Sequence, residues 1–186
     1  GGGDGDKFDI DSTTGVLTFK ASPDFETPTD VGENNVYDVE VTATDDGDPN
    51  KTDVQSIAVT VANTNEAPTA TNMSADQTTA EDNVLDLTDI VVADPEGDNI
   101  MATLTLTNNA QGMLTTGVTT TFGATTPTMA NGVWTAAGTV ADVNDALAAV
   151  QFDPAPNFSG QVNISTYVTD TVSQAITGMK TVTITP

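Results

Sequence analysis

Val36-Tyr37-Asp38-Val39-Glu40-Val41-Thr42-Ala43-Thr44 decides the fold class. Tyr37, Val39, Val41 and Ala43 alternate with Asp38, Glu40, Thr42 and Thr44. A period of two places one set in a core and the other in water, as on an antiparallel sheet with a single buried face. The same period recurs on both sides of this stretch. Ile57, Val59 and Val61 share one face of residues 56–62. Ile100, Ala102, Leu104 and Leu106 share one face of residues 100–107, and Val162, Ile164, Thr166 and Val168 one face of residues 161–169. Turn-forming clusters separate these runs: Asp46-Gly47-Asp48-Pro49-Asn50, Pro95-Glu96-Gly97-Asp98-Asn99 and Asn157-Phe158-Ser159-Gly160. Short alternating strands between such turns predict an all-β protein of antiparallel Greek-key sandwiches. Threonine is abundant and valine common, and both β-branched types favour strands.

Two features organise the chain. Asn63-Thr64-Asn65-Glu66-Ala67-Pro68 is polar and ends in a proline that holds Ala67 extended, which marks a linker between domains 1–66 and 67–186. Residues 140–149 break the strand pattern. Val140, Val143 and Leu147 fall on one helical face, and Thr139 and Asp142 have capping-box spacing, so a short helix crossing between two sheets is expected there.

Composition narrows function. There are 27 acidic residues against four lysines, no arginine, no histidine and a net charge of −23. Nucleic-acid phosphates and anionic membrane surfaces repel such a chain. Without histidine or cysteine it lacks the usual zinc and copper ligands and the common nucleophile–base pairs. No apolar run approaches the ~20 residues of a membrane span. Cleft-building insertions are not seen and the aromatics that line sugar sites are scarce, so a two-carboxylate glycosidase is not indicated. The lone Trp134 is read as a core residue. Carboxylates and carbonyls remain, and these hard oxygen ligands suit calcium. They cluster at Pro23-Asp24-Phe25-Glu26, Asp45-Asp46-Gly47-Asp48, Asn63-Thr64-Asn65-Glu66 and Asp94-Pro95-Glu96-Gly97-Asp98-Asn99, each at a strand end or linker. Each loop alone is also simple turn chemistry, since Asp, Asn and Gly favour turns.

Four segments, in order, resemble the cadherin repeat: Phe8-Asp9-Ile10-Asp11 leading to Thr14-Gly15, then Pro23-Asp24-Phe25-Glu26, then Ala43-Thr44-Asp45-Asp46-Gly47-Asp48-Pro49, then Asn63-Thr64-Asn65-Glu66-Ala67-Pro68. The second half resembles the larger cadherin-like repeats of bacterial giant, RTX-type adhesins. Its marks are Thr79-Ala80-Glu81-Asp82, Ala93-Asp94-Pro95-Glu96-Gly97-Asp98, the helix near Asn144, and Phe152-Asp153-Pro154 through Gly160. The resemblance implies calcium between consecutive repeats. It implies ligands Asp24, Glu26, Asn63, Asn65 and Glu66 from the first, and Asp94, Glu96, Asp98 and Asp170 from the second. Asn63 stands where the family has an acid, which implies weaker binding or fewer ions.

The resemblance also implies that residues 1–66 are a partial repeat lacking its opening strands. It implies a non-catalytic, extracellular extender, secreted or at the cell surface, without direct membrane insertion. The partners expected are neighbouring repeats of the same parent chain, and possible further ones are other subunits or cell-surface glycans. Two other readings stay open: a carbohydrate-binding module of a secreted polysaccharide-active protein, and a filament subunit assembled by strand donation.

Overall fold

The computed structural model describes residues 3–116, 126–172 and 174–186, and the chain divides into two units, Gly1–Thr64 and Asn65–Pro186. Each is built of β-structure with its own core.

In the first unit β1 (Phe8–Ile10) pairs antiparallel with β2 (Leu17–Phe19), and β3 (Val36–Thr44) with β4 (Thr52–Thr60). The alternation of β3 acts as its sequence demands at its start, where Tyr37 and Val39 are buried and Asp38 and Glu40 exposed. It fades toward Ala43, which is exposed. The buried apolar core is Phe8, Tyr37 and Val39, flanked by Leu17, Phe19, Ile57, Val59 and Val61. Phe19 and Phe8 both meet Tyr37 edge-on, with centroids 5.1 and 6.3 Å away. A groove of about 470 Å³ lies beside this core, with Phe8, Ile10, Leu17 and Val39 among its lining.

Buried carboxylates stitch the loops of this unit together. Asp4 Oδ1 accepts from the Val31 amide at 2.6 Å and Oδ2 from the Asp38 amide at 2.8 Å, while the Asp4 amide donates to the Asp38 carbonyl at 2.9 Å. Asp30 accepts from the amides of Asn34 and Asn35, both at 3.0 Å.

The second unit contains β5 (Thr69–Thr71), β6 (Gln77–Ala80), β7 (Leu85–Asp86), β8 (Val91–Ala93), β9 (Ile100–Leu106), β10 (Gly112–Thr115), β11 (Thr128–Ala130), β12 (Val133–Gly138), helix α1 (Val140–Leu147), β13 (Gln151–Pro154), β14 (Gly160–Asp170) and β15 (Ala175–Thr185). A six-stranded sheet runs β11-β12-β9-β14-β15-β6, antiparallel except for the parallel β15–β6 pair. The smaller sheets are β10-β13-β7 and β5-β8. The predicted inward residues of β9 and β14 are all buried, and they share one core with Leu87, Ile90, Val92, Leu114 and Phe152. Trp134 is 0% exposed in this core. This is a sandwich, closed by side chains from both layers.

The helix begins where its cap predicts: the Thr139 hydroxyl accepts from the Asp142 amide at 3.2 Å. Val143 and Leu147 are buried. Asn144 binds the backbone of Val92 on β8 through both ends of its amide, at 2.7 and 2.9 Å, fixing the helix to the smaller layer.

Lys180 lies inside this unit, 1% exposed, on the inward phase of β15. Its ammonium donates to the Thr88 carbonyl at 2.9 Å. Burial pushes its pKa below the ordinary lysine value, and the nearby Asp89 carboxylate partly offsets this. A folded pKa below the unfolded one means the unfolded chain binds more protons between the two, so stability rises with pH in that window. The stability of the wild type relative to Lys180→Met is therefore expected to increase as pH approaches the ordinary lysine pKa. Urea midpoints for both proteins at pH 8 and pH 10 measure this, and a constant difference refutes it.

Candidate metal centre

One end of the second unit carries Asp170 and the acidic loop 94–98. Register sets Asp170, the last residue of β14, opposite Ile100, the first of β9. The loop 94–98 enters β9 just before Ile100, so it shares this end of the sheet with Asp170. Asn65 joins them, because its Nδ2 donates to Asp170 Oδ2 at 2.8 Å. Asn65 Nδ2 also reaches the carbonyl of Glu66 at 3.1 Å.

The loop is shaped by its own chemistry. Asp94 Oδ1 accepts from the Asp98 amide at 3.0 Å, and the Asp94 carbonyl accepts from the Gly97 amide at 3.2 Å. Gly97 has φ +71°, a left-handed conformation that glycine adopts without strain. Turn closure therefore occupies one oxygen of Asp94. Its other oxygen, Oδ2, is buried with no hydrogen-bond partner. A carboxylate oxygen shut away from water without a donor is costly, and a cation is the natural group to satisfy it. Glu66 and Glu96 bring carboxylate oxygens within 4.8 Å of one another. Two oxygens each about 2.4 Å from one calcium ion lie at most about 4.8 Å apart, so this spacing fits an ion between them.

Asp170 is committed more heavily than its sequence context suggests. Its Oδ1 accepts from the amides of Val172 and Gln174, both at 2.8 Å, which closes the β14–β15 hairpin. Its Oδ2 faces the Asn65 amide. A cation here would replace the Asn65 N–H, and rotation of that amide would offer the ion an oxygen instead.

Of the residues singled out in the sequence, Asn65, Glu66, Asp94, Glu96, Asp98 and Asp170 belong to the second unit. Asp24 and Glu26 lie together in the first, where Asp24 Oδ1 accepts from the amides of Glu26 and Thr27 at 3.0 and 3.1 Å. Asn63 is exposed at the end of that unit. Asp11 closes a turn: the Thr14 and Thr13 amides hold its carboxyl below the usual carboxylate range. The buried carboxylates of Asp4 and Asp30 and the buried Lys180 are absent from the sequence expectations. Only Lys180 leaves a trace there, as the odd member of the inward series Ile176, Gly178, Lys180, Val182, Ile184.

No family model matches this chain, and no curated protein matches it. Solved structures that resemble it include domains 1–4 of Drosophila N-cadherin, at 12% identity over 100% of this chain and 39% of that one, with a TM-score of 0.47. Another is domains 22–24 of mouse cadherin-23, at 17% identity over 98% of this chain and 50% of that one, with a TM-score of 0.45. A third is domains 3–6 of protocadherin gamma B2, at 13% identity over 96% and 38%, with a TM-score of 0.46. The chain thus spans half or less of the length of these structures. Among the described residues, no helix is long and apolar enough to cross a membrane.

Proposed function

We propose that this chain is a pair of calcium-binding, cadherin-like repeats acting as a non-enzymatic structural or adhesive extender in an extracellular bacterial adhesin. Its partners are neighbouring repeats of the same parent chain. The observation that carries the calcium reading is Asp94 Oδ2, a buried carboxylate oxygen without a donor, on the loop whose Glu96 carboxylate lies within 4.8 Å of that of Glu66. The order of the acidic segments in the sequence supports it further. Asp24, Glu26 and Asn63 enter the ligand set on motif order alone.

Calcium is expected to bind at roughly 10⁻⁴ to 10⁻³ M, as extracellular modules do. At 10 mM this stabilises the folded state by about 1.4–2.7 kcal/mol. A net charge of −23 means that any salt also stabilises by screening, so the comparison is made at equal ionic strength with sodium and with magnesium. Calorimetric titration and thermal unfolding read the effect. Asp94→Asn should abolish most of the calcium-specific stabilisation, and Asp11→Asn should leave it intact. Equal melting in calcium, magnesium and sodium overturns the reading. An unchanged calcium affinity in Asp24→Asn would remove that residue, but not the others, from the ligand set.

A further inference from the structure

The chain carries 27 acidic residues, yet no charged side chain lies on the outward phase of the four strands β12, β9, β14 and β15. Lys180 and Asp170, the charged residues within these strands, fall on the inward phase and are buried. Register arranges the outward residues in rows, the central one being Thr135–Thr103–Tyr167–Thr177. Met101 stands one row to one side of Tyr167 and Met179 one row to the other. Diagonal neighbours on a sheet are within reach of long side chains. Met101, Tyr167 and Met179 therefore form a stripe across three adjacent strands, and they are 38%, 40% and 48% exposed. Every other outward position on these strands is Thr, Ser, Asn, Gln, Ala or Val.

We propose that this face is a self-association surface, on which a second copy of this chain packs sheet against sheet with Tyr167 at the centre. Charge selects the occupant. Two copies at −23 each repel strongly, and a charge-free face is where they meet with the fewest opposed carboxylates. A basic partner would be drawn instead to the acidic loops. Composition agrees, since tyrosine and methionine are enriched and acids depleted at interface centres. Two copies that meet through this same patch make the isologous contact of a two-fold dimer. With strands about 4.8 Å apart and a rise of about 3.4 Å per residue, four strands of about nine residues cover roughly 600 Å² per copy. That lies at the lower end for specific interfaces. Interfaces at this end of the range belong to weak, transient encounters. None of this depends on bound calcium.

The test uses the whole chain with methyl-labelled methionine, from about 20 μM to 1 mM, with sedimentation equilibrium in parallel. The methyl signals of Met101 and Met179 should shift with concentration. Those of Met113 and Met129, also exposed at 56% and 45%, should not. Added sodium chloride should strengthen dimerisation by screening the repulsion. Tyr167→Asp should weaken it at least tenfold with folding unchanged. Thr103→Asp, in the same row, serves the same purpose if Tyr167→Asp fails to fold. A monomer at 1 mM overturns the proposal, as do shifts confined to Met113 and Met129 or weakening by salt. Shifts of Met101 and Met179 that appear only on adding a neutral oligosaccharide such as cellohexaose would assign the face to glycan and overturn it too.

Discussion

Asp170→Ala is expected to cost the second unit about 3 kcal/mol in calcium-free buffer and to remove its calcium response as well. The side chain is 5% exposed and accepts from two hairpin amides and the Asn65 amide. Hydrogen bonds to a charged group contribute about 1.5–3 kcal/mol each, and donors left buried without an acceptor add a desolvation cost. Asp170→Asn separates the two roles. Its carbonyl oxygen still accepts from Val172 and Gln174, so most of the stability should remain. Its amide, however, sets N–H against the Asn65 N–H and presents no charge to a cation. Urea unfolding in EDTA, paired with calcium titration, reads both quantities. A fully stable Asp170→Ala would show that the hairpin amides find other acceptors. An Asp170→Asn that keeps full calcium affinity would show that this carboxylate is structural alone.

This double use explains how the site was legible in part. The 94–98 loop announces itself locally, because a turn that needs Gly97 and an acid that closes it lie within five consecutive residues. The helix was legible for the same reason, since Thr139 and Asp142 are three residues apart. Residues 161–169 and 100–107 were legible because long alternating runs of apolar residues can satisfy only one geometry. β7 and β5, of two and three residues, are too short to show a period. What the sequence conceals is which acids are buried. Asp94, Asp11 and Asp24 each close a turn with an amide two to four residues away, and look alike in sequence. Only the fold gives Asp94 a second oxygen shut away from water. Asp4 is concealed more completely, because its donors lie 27 and 34 residues downstream.

Asp4→Ala is accordingly expected to unfold the first unit at 25 °C while leaving the second folded. The side chain is 1% exposed, and its two oxygens hold the loop at Val31 and the edge of β3 at Asp38. Alanine removes the charged acceptor of both amides, in part-buried surroundings, and hydrogen bonds to a charged group contribute about 1.5–3 kcal/mol each, so the loss is about 3 kcal/mol. That loss falls on a unit whose buried apolar core is Phe8, Tyr37 and Val39. A domain of about 60 residues buries a smaller share of its surface than a larger one and is correspondingly marginal. Domains in general hold only about 5–15 kcal/mol in reserve, and so small a core places this unit at the low end. The second unit, with Trp134, Phe152 and many aliphatic residues in one cluster, does not draw on Asp4. Amide and aromatic NMR spectra distinguish the outcomes. Signals of Phe8, Phe19 and Tyr37 should collapse to unfolded positions, while those of Trp134 and Phe152 stay dispersed. Asp4→Asn, which keeps one acceptor oxygen, should fall between wild type and alanine. If Asp4→Ala retains the dispersed Tyr37 signals, the core closes without the carboxylate, and the two hydrogen bonds are a consequence of the fold rather than a cause.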